Sequence, residues 1–96
     1  MSIRVVARLV VQPQHVAAFK EGAVAVIAPT RKEPGCRSYT LLQNNADPTD
    51  FTFVEEWDSP DALSAHMKTP HIAGFLGTCG PMLAGAPDIR QYTLVA

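Results

Sequence analysis

Residues 51–71, FTFVEEWDSPDALSAHMKTPH, decide how the rest of the chain can fold. The first seven residues are aromatic, β-branched or acidic, a composition that favours a half-buried β-strand. Ser59-Pro60-Asp61 is typical of a helix start, because serine caps free N–H groups, proline fits the first helical position and aspartate suits the positive end of the dipole. Thr69-Pro70 repeats the pattern. The stretch therefore predicts a strand, a short helix and the start of a second helix, with the only tryptophan, Trp57, at the junction of strand and helix.

The flanking residues supply the remaining elements of one domain spanning residues 1–96. The hydrophobic periodicity and the Pro/Gly-rich breaks between segments set their bounds. These segments are a strand at 3–12, a helix at 13–31, a strand at 36–44, a helix at 70–84 with an irregular end, and a strand at 88–95. The resulting order, βαββαβ, predicts an α+β fold of the ferredoxin-like type.

The predicted first strand is apolar on one face and mixed on the other. Ile3, Val5 and Leu9 lie on the apolar face, whereas Val6 and Val10 alternate with polar residues on the other. A sheet with one wet face should alternate more cleanly than this. We therefore expect helices to cover one side and a second copy of the chain, in a homodimer, to cover the other.

Composition restricts the class of protein. A hydrophobic content of 47% with 18% charged residues is typical of a folded globule. The net charge of −1 gives no basic surface for nucleic acid or an anionic membrane, and no apolar run approaches the ~18 residues that a membrane span needs. The N-terminal sequence is strand-like and lacks a signal-peptide pattern, and Cys36 and Cys79 form no CxxC motif, so we expect a cytoplasmic protein with reduced cysteines.

The pattern E-x-W-x-S-x-x-A-L-x-x-H-x-x-T-P-H at residues 55–71, with Pro34-Gly35-Cys36 before the second strand, resembles the antibiotic biosynthesis monooxygenase family. The resemblance implies a dimeric α+β barrel, in which two four-stranded sheets meet across a two-fold axis and each subunit keeps a small apolar cavity between sheet and helices. Characterised members oxidise electron-rich phenols, anthrones or quinols with molecular oxygen and without metal, flavin or haem.

The resemblance also bears on particular residues. Anthrone-oxidising members have a cavity-lining tryptophan at the position of Trp57, with an asparagine and a tyrosine at the positions of Phe53 and Leu63, so their polar site is not reproduced here. The positions that haem-degrading members use map approximately to Ala7 and Leu76, which argues against haem breakdown. The H-x-x-T-P-H segment instead resembles the quinol-oxidising and signal-molecule-processing branch.

His66 is the predicted catalytic residue. Its ring exchanges protons near neutral pH, and its helical position directs it inward beside Trp57; the alternative is a core histidine held by a hydrogen bond. Trp57 and Tyr39 are predicted to bind substrate, with core packing as their alternative. The complete predicted substrate-binding set is Trp57, Tyr39, Phe53, Leu63 and His71.

No metal or other cofactor is predicted. His66 and His71 are five residues apart rather than four, and we expect no cysteine or acidic residue to complete a ligand set with them. Glu55 shares its strand face with Phe53 and Trp57, so its carboxyl group must be paired or have a raised pKa. We expect a salt bridge rather than a catalytic base, with Arg8 and Arg90 pairing with Glu55 or Glu56 within the chain or across the dimer.

These features predict a cofactor-independent monooxygenase that acts on a small aromatic or quinol-like substrate with molecular oxygen. Two alternatives stay open from sequence. One is a non-enzymatic dimer that binds or sequesters a small apolar metabolite. The other is a degradative or isomerase-like step on a small signal molecule.

Overall fold

The computed structural model describes residues 2–96; Met1, the first residue of the predicted domain, lies outside the described residues. The elements in chain order are β1 (Ile3–Val10), α1 (Val16–Ala25), α2 (Ile27–Arg31), β2 (Cys36–Gln43), β3 (Asp50–Trp57), α3 (Pro60–Met67), α4 (Pro70–Cys79) and β4 (Asp88–Tyr92), with 3-10 turns at Pro13–His15 and Gly80–Met82. This order confirms the predicted α+β, ferredoxin-like βαββαβ fold.

The four strands form one antiparallel sheet in the order β2-β3-β1-β4. Trp57, at the end of the inner strand β3, pairs with Ile3 of the other inner strand, β1, and with Cys36 of the edge strand β2. The helices cover one face of the sheet. Aromatic rings fill that layer, with Phe19 of α1 packed 4.9 Å from Phe51 and 5.9 Å from Phe75 between ring centroids.

Prolines interrupt both predicted long helices. The helix predicted at 13–31 divides into a 3-10 turn, α1 and α2, with the break at Val26. Pro29 has no N–H to donate to the carbonyl of Ala25, and its ring crowds that carbonyl, so the helix cannot continue through this point. Pro81 acts in the same way at the end of α4, where the expected irregular end is the 3-10 turn.

The terminal strand and two ion pairs differ from the prediction. β4 ends at Tyr92 rather than at residue 95. Arg8 pairs with Asp50 at 2.9 Å and Arg90 with Asp88 at 2.9 Å, so within the protomer the predicted pairing with Glu55 or Glu56 is wrong for both arginines. Strand alternation explains why neither pairs with Glu55, because both arginines lie on the sheet face without helices whereas Glu55 lies on the helix-covered face. On their own face, Arg8 lies opposite Thr52, two residues from Asp50 and four from Glu56, and Arg90 lies two residues from Asp88.

The sheet face without helices is mixed in character. Leu42 and Val54 are exposed on it in the protomer. Around them, Glu56 forms ion pairs with Arg4 at 3.3 Å and with Arg37 at 3.4 Å.

Within residues 2–96, every helix is too short or too polar to cross a lipid bilayer.

A close approach between a loop and a helix positions the N-terminus of α3. Gly35, just before β2, has φ of +84°, and its carbonyl accepts a 2.8 Å hydrogen bond from the N–H of Asp58. A Cβ atom at this glycine would lie 2.6 Å from Cβ of Ala62 in α3. Only glycine therefore satisfies both the left-handed backbone and the packing of the loop against α3.

We expect Gly35→Ala to lower the free energy of unfolding by at least ~2 kcal/mol, because a left-handed backbone and an overpacked contact each cost a side chain about 1 kcal/mol or more. Urea denaturation measures the change. Gly77→Ala is the matched control: it lies in α4 with open space around the new methyl group, so it should raise stability by roughly 0.5–1 kcal/mol. Equal effects of the two substitutions would contradict this account.

Candidate active site

A cavity of about 70 Å³ lies between the helix-covered face of the sheet and helices α3 and α4. Three polar side chains reach its wall, namely Tyr39 from β2, Glu55 from β3 and His66 from α3. The remaining wall is apolar and consists of Val5, Ala7, Leu9, Phe53, Leu63, Met67, Ile72, Phe75, Leu76, Pro87 and Ile89. The exposed residues of this set form the mouth of the cavity, which opens between the helices and β4; they are Met67, Leu76, Pro87 and Ile89.

Four of the six predicted site residues line this cavity, namely Tyr39, Phe53, Leu63 and His66. Trp57 does not reach it. Its ring is fully buried and packs behind His66, with ring centroids 4.6 Å apart. His71 also lies outside the wall, 6.3 Å from His66 between ring centroids.

Aromatic packing and a carboxylate fix the orientation of His66. His66 is only 2% exposed, and its ring packs against both Trp57 and Tyr39, with ring centroids 4.6 Å and 5.5 Å away. Nδ1 lies 2.7 Å from Oε2 of Glu33. The His66 backbone carbonyl accepts a 2.8 Å hydrogen bond from the Thr69 hydroxyl, which closes the end of α3. The imidazole is therefore held from three sides.

The surroundings also determine the protonation of His66. Burial lowers the pKa of the imidazole, and the hydrogen bond and charge of Glu33 only partly oppose that effect. The ring is therefore neutral at pH 7, and the contact is a hydrogen bond rather than an ion pair. A carboxylate can only accept, so Nδ1 carries the hydrogen and Nε2 carries the lone pair. Glu33 does not line the cavity, so Nε2 is the His66 ring nitrogen that is available to a molecule in the cavity.

Glu55 is a second titratable group on the cavity wall. The residue is 5% exposed, and its Oε1 accepts a 2.9 Å hydrogen bond from Nε1–H of Trp57. Burial raises the pKa of this carboxyl group to about 7, although the hydrogen bond from Trp57 opposes the shift. At neutral pH a substantial fraction of Glu55 is therefore the neutral acid, which can donate a hydrogen bond to a ligand.

Tyr39 supplies a third polar group. Burial raises the pKa of its phenol, and the charges of Glu55 and Glu33 add to the shift, so the hydroxyl keeps its hydrogen. Within residues 2–96 this hydroxyl makes no hydrogen bond, whereas the Tyr39 backbone carbonyl accepts one from Arg31 at 3.0 Å. Two neutral donors and one neutral base thus face an apolar space.

Glu33 is the residue that the sequence analysis missed. Its Oε2 lies 2.7 Å from Nδ1 of His66 and 2.7 Å from Nε2 of His71. The expectation that no acidic residue completes a set with the two histidines is therefore wrong. Glu33 is more than 30 positions away in sequence, and its only local signal is its place before Pro34-Gly35, which ends the preceding helix.

Comparison with known proteins gives a consistent result. Residues 2–77 match the family described as antibiotic biosynthesis monooxygenase. Over 81 residues the chain is 35% identical to the protein named "Putative monooxygenase Rv0793" from Mycobacterium tuberculosis, covering 84% of this chain and 79% of that one. Over 92 residues it is 30% identical to the protein sll1783 of Synechocystis, covering 96% of this chain; it spans only 63% of that protein's length.

Solved structures share the whole fold. The structure of Rv0793 superposes with a TM-score of 0.94 at 27% identity, covering 100% of this chain and 97% of that one. PA3566 from Pseudomonas aeruginosa superposes with a TM-score of 0.93 at 29% identity, covering 99% and 95%. The likeness therefore includes both the sheet and the helices that enclose the cavity.

The raised pKa of Glu55 should make stability depend on pH. The unfolded chain loses this proton near pH 4.5, whereas the folded protein keeps it to about pH 7. The free energy of unfolding should therefore fall by about 3 kcal/mol as the pH rises through this interval, and level off above it. Glu55→Gln, which can still accept the hydrogen bond from Trp57, should abolish the fall.

Urea denaturation at several pH values and one protein concentration measures this dependence. Glu21→Gln, a neutralised glutamate exposed on α1, is the matched control and should keep the wild-type curve. Parallel pH curves for Glu55→Gln and the wild type would show that Glu55 is not the buried acid described above.

Proposed function

This chain belongs to the antibiotic biosynthesis monooxygenase family, and on that premise we propose that it is a cofactor-independent monooxygenase that oxidises a small aromatic or quinol-type substrate with molecular oxygen. The observation that carries the proposal is the neutral, oriented imidazole of His66 at the wall of an otherwise apolar cavity. Relatives with monooxygenase in their names support the reaction class.

His66 is the proposed catalytic base. Its Nε2 takes a proton from the substrate, either from a phenolic hydroxyl or from the activated methylene of an anthrone. Glu33 holds the ring in the tautomer that leaves Nε2 free, and it stabilises the imidazolium that forms. Tyr39 and neutral Glu55 donate hydrogen bonds to the oxygen on which the substrate's negative charge develops.

The substrate anion then reduces oxygen without help from a cofactor. It gives one electron to O₂, and the resulting superoxide joins the substrate radical at carbon to form a peroxide anion, which takes the proton back from the His66 imidazolium. Loss of water from that carbon leaves a carbonyl group. For a methylene substrate the balance is R₂CH₂ + O₂ → R₂C=O + H₂O, so the substrate supplies both electron pairs. Apolar walls favour this sequence because they exclude water from the anion and the radical.

Cavity size restricts the substrate. The volume of about 70 Å³ is roughly half of the ~150 Å³ cavity that holds a benzene molecule in an engineered protein core. A single ring therefore needs the mouth as well as the cavity. The exposed side chains of Met67, Leu76 and Ile89 line the mouth, where they can contact the part of an aromatic ligand that the cavity does not hold.

The proposal includes a homodimer formed through the sheet face without helices. Val54 is 38% and Leu42 is 51% exposed on that face in the protomer, and a second sheet would cover both. The surrounding arginines and carboxylates would form the rim of such an interface.

A binding protein without catalytic activity is the second candidate function. Phe53 and Leu63 favour it, because they make the cavity wall apolar where a polar side chain would otherwise orient an oxygen atom of the substrate. Ligand-induced stabilisation without oxygen consumption would identify this function.

The catalytic proposal is tested by oxygen uptake with a hydroquinone and an anthrone as substrates. We expect turnover above the uncatalysed rate, with one atom of isotopically labelled oxygen gas in the product. His66→Gln should reduce kcat by at least ~100-fold, because a positioned base contributes roughly 10²–10⁴ in rate. His15→Gln, at the chain's histidine outside the site, should leave kcat unchanged. Uptake that is equal with and without protein would refute the proposal.

The dimer is tested by sedimentation equilibrium. We expect the wild type to have twice the mass of the 10.4 kDa chain. Val54→Asp should shift the mass to that of one chain, because it buries an unpaired charge in the proposed interface. Val24→Asp, which makes the same change on the exposed side of α1, is the control and should leave the dimer intact. A wild-type protein that sediments as a monomer would contradict the interface.

A further inference from the structure

Three potential metal ligands converge beside the cavity. The ligand atoms of Glu33, His66 and His71 all lie within 4.8 Å of one another, and Oε2 of Glu33 is 2.7 Å from a nitrogen of each histidine. The side chain of His66 is 3% exposed, that of Glu33 10% and that of His71 24%. The set is therefore shielded on one side and open to solvent at His71.

The break between α3 and α4 makes this convergence possible. On one continuous helix, side chains five residues apart point about 140° away from each other. Here α3 ends with the N–H of Thr69 bonded to the carbonyl of His66, and α4 begins anew at Pro70. The new helix turns His71 back toward Glu33. The expectation from spacing alone, that these histidines cannot share an ion, is therefore not valid for this geometry.

A ligand set of two imidazoles and one carboxylate prefers transition-metal cations. Imidazole favours zinc and other first-row transition metals over Mg²⁺ and Ca²⁺, which prefer oxygen. Two histidines with one glutamate hold zinc in a class of sites that keep a fourth position open for water. Because nitrogen and oxygen ligands lie about 2.0–2.2 Å from zinc, an ion would need to take the central position that Oε2 of Glu33 now occupies.

The side chains can make that adjustment. Glu33 lies in the loop between α2 and β2, His71 is partly exposed in the first turn of α4, and neither side chain belongs to the hydrophobic core, so the adjustment leaves the core packing in place. The His66 ring is fixed by packing against Trp57 and Tyr39, as a preorganised ligand must be. Binding moves its ring hydrogen from Nδ1 to Nε2, since the metal needs the Nδ1 lone pair.

From this geometry we infer a binding site for one divalent transition-metal cation per chain, formed by Glu33, His66 and His71. The ion would connect α3, α4 and the loop before β2 on the side of His66 that faces away from the cavity. Binding is measured without any substrate, so the inference is tested separately from the oxygen chemistry proposed above. A metal-bound His66 carries its hydrogen on Nε2 and cannot act there as a base, so the ion would inhibit turnover.

The test uses tag-free full-length protein treated with a chelator and titrated with Zn²⁺ by calorimetry and with Co²⁺ by visible absorption. We expect one ion per chain, and cobalt d–d bands typical of a low-coordinate nitrogen and oxygen site. His71→Gln and Glu33→Gln should each weaken Zn²⁺ binding by at least ~100-fold, since even the loss of an outer-shell partner costs 10–100-fold. Mg²⁺ should not compete.

Matched variants separate this site from other zinc ligands. His15→Gln removes the remaining histidine, and Cys36→Ser removes the half-buried thiol; both should bind Zn²⁺ as the wild type does. Thermal unfolding of each metal-free variant checks that it is folded, and His71→Gln should fold because its side chain is partly exposed. Absence of stoichiometric Zn²⁺ binding, or equal affinity in the wild type and folded His71→Gln, would overturn the inference.

Discussion

Packing of the Trp57 ring is the interaction that connects the fold to the site. The ring is fully buried where β3 lies between β1 and β2, opposite Ile3 and Cys36. Its indole N–H donates to Glu55, and its face supports His66. One core side chain thus positions both a buried acid and a buried imidazole. Trp57 thus influences the cavity wall through these two neighbours, although its own ring does not line the cavity.

Desolvation determines the charge state of the cavity wall. Burial lowers the pKa of His66 and raises the pKa of Glu55 and Tyr39, so each shift favours the neutral form. A neutral imidazole is a base, whereas a neutral carboxyl group and a phenol are hydrogen-bond donors. The apolar core therefore creates a complementary set of acid and base groups. Glu33, outside the cavity, supplies the negative charge that would stabilise a protonated His66.

Local sequence patterns predicted most of the secondary structure of this protein, but they could not predict contacts between residues that are far apart in sequence. Alternation in residues 3–11 and 51–57 gave the strands and their buried face, and Ser59 indeed accepts the capping hydrogen bond from the N–H of Ala62 at 3.2 Å. Thr69 differs, because its hydroxyl donates to the carbonyl of His66 instead of capping α4. Glu33 was missed because no spacing rule relates it to two histidines on other elements.

The interruption between α3 and α4 also affects how relatives of this chain could diverge. Its two residues, Lys68 and Thr69, set the rotational phase of α4 relative to α3. A single insertion or deletion there would turn His71 away from Glu33, while His66 would stay beneath Trp57. The contact of Glu33 with both histidines could thus be lost through one inserted or deleted residue. Evolution could in this way separate the polar cluster from the cavity without replacing a single side chain in either.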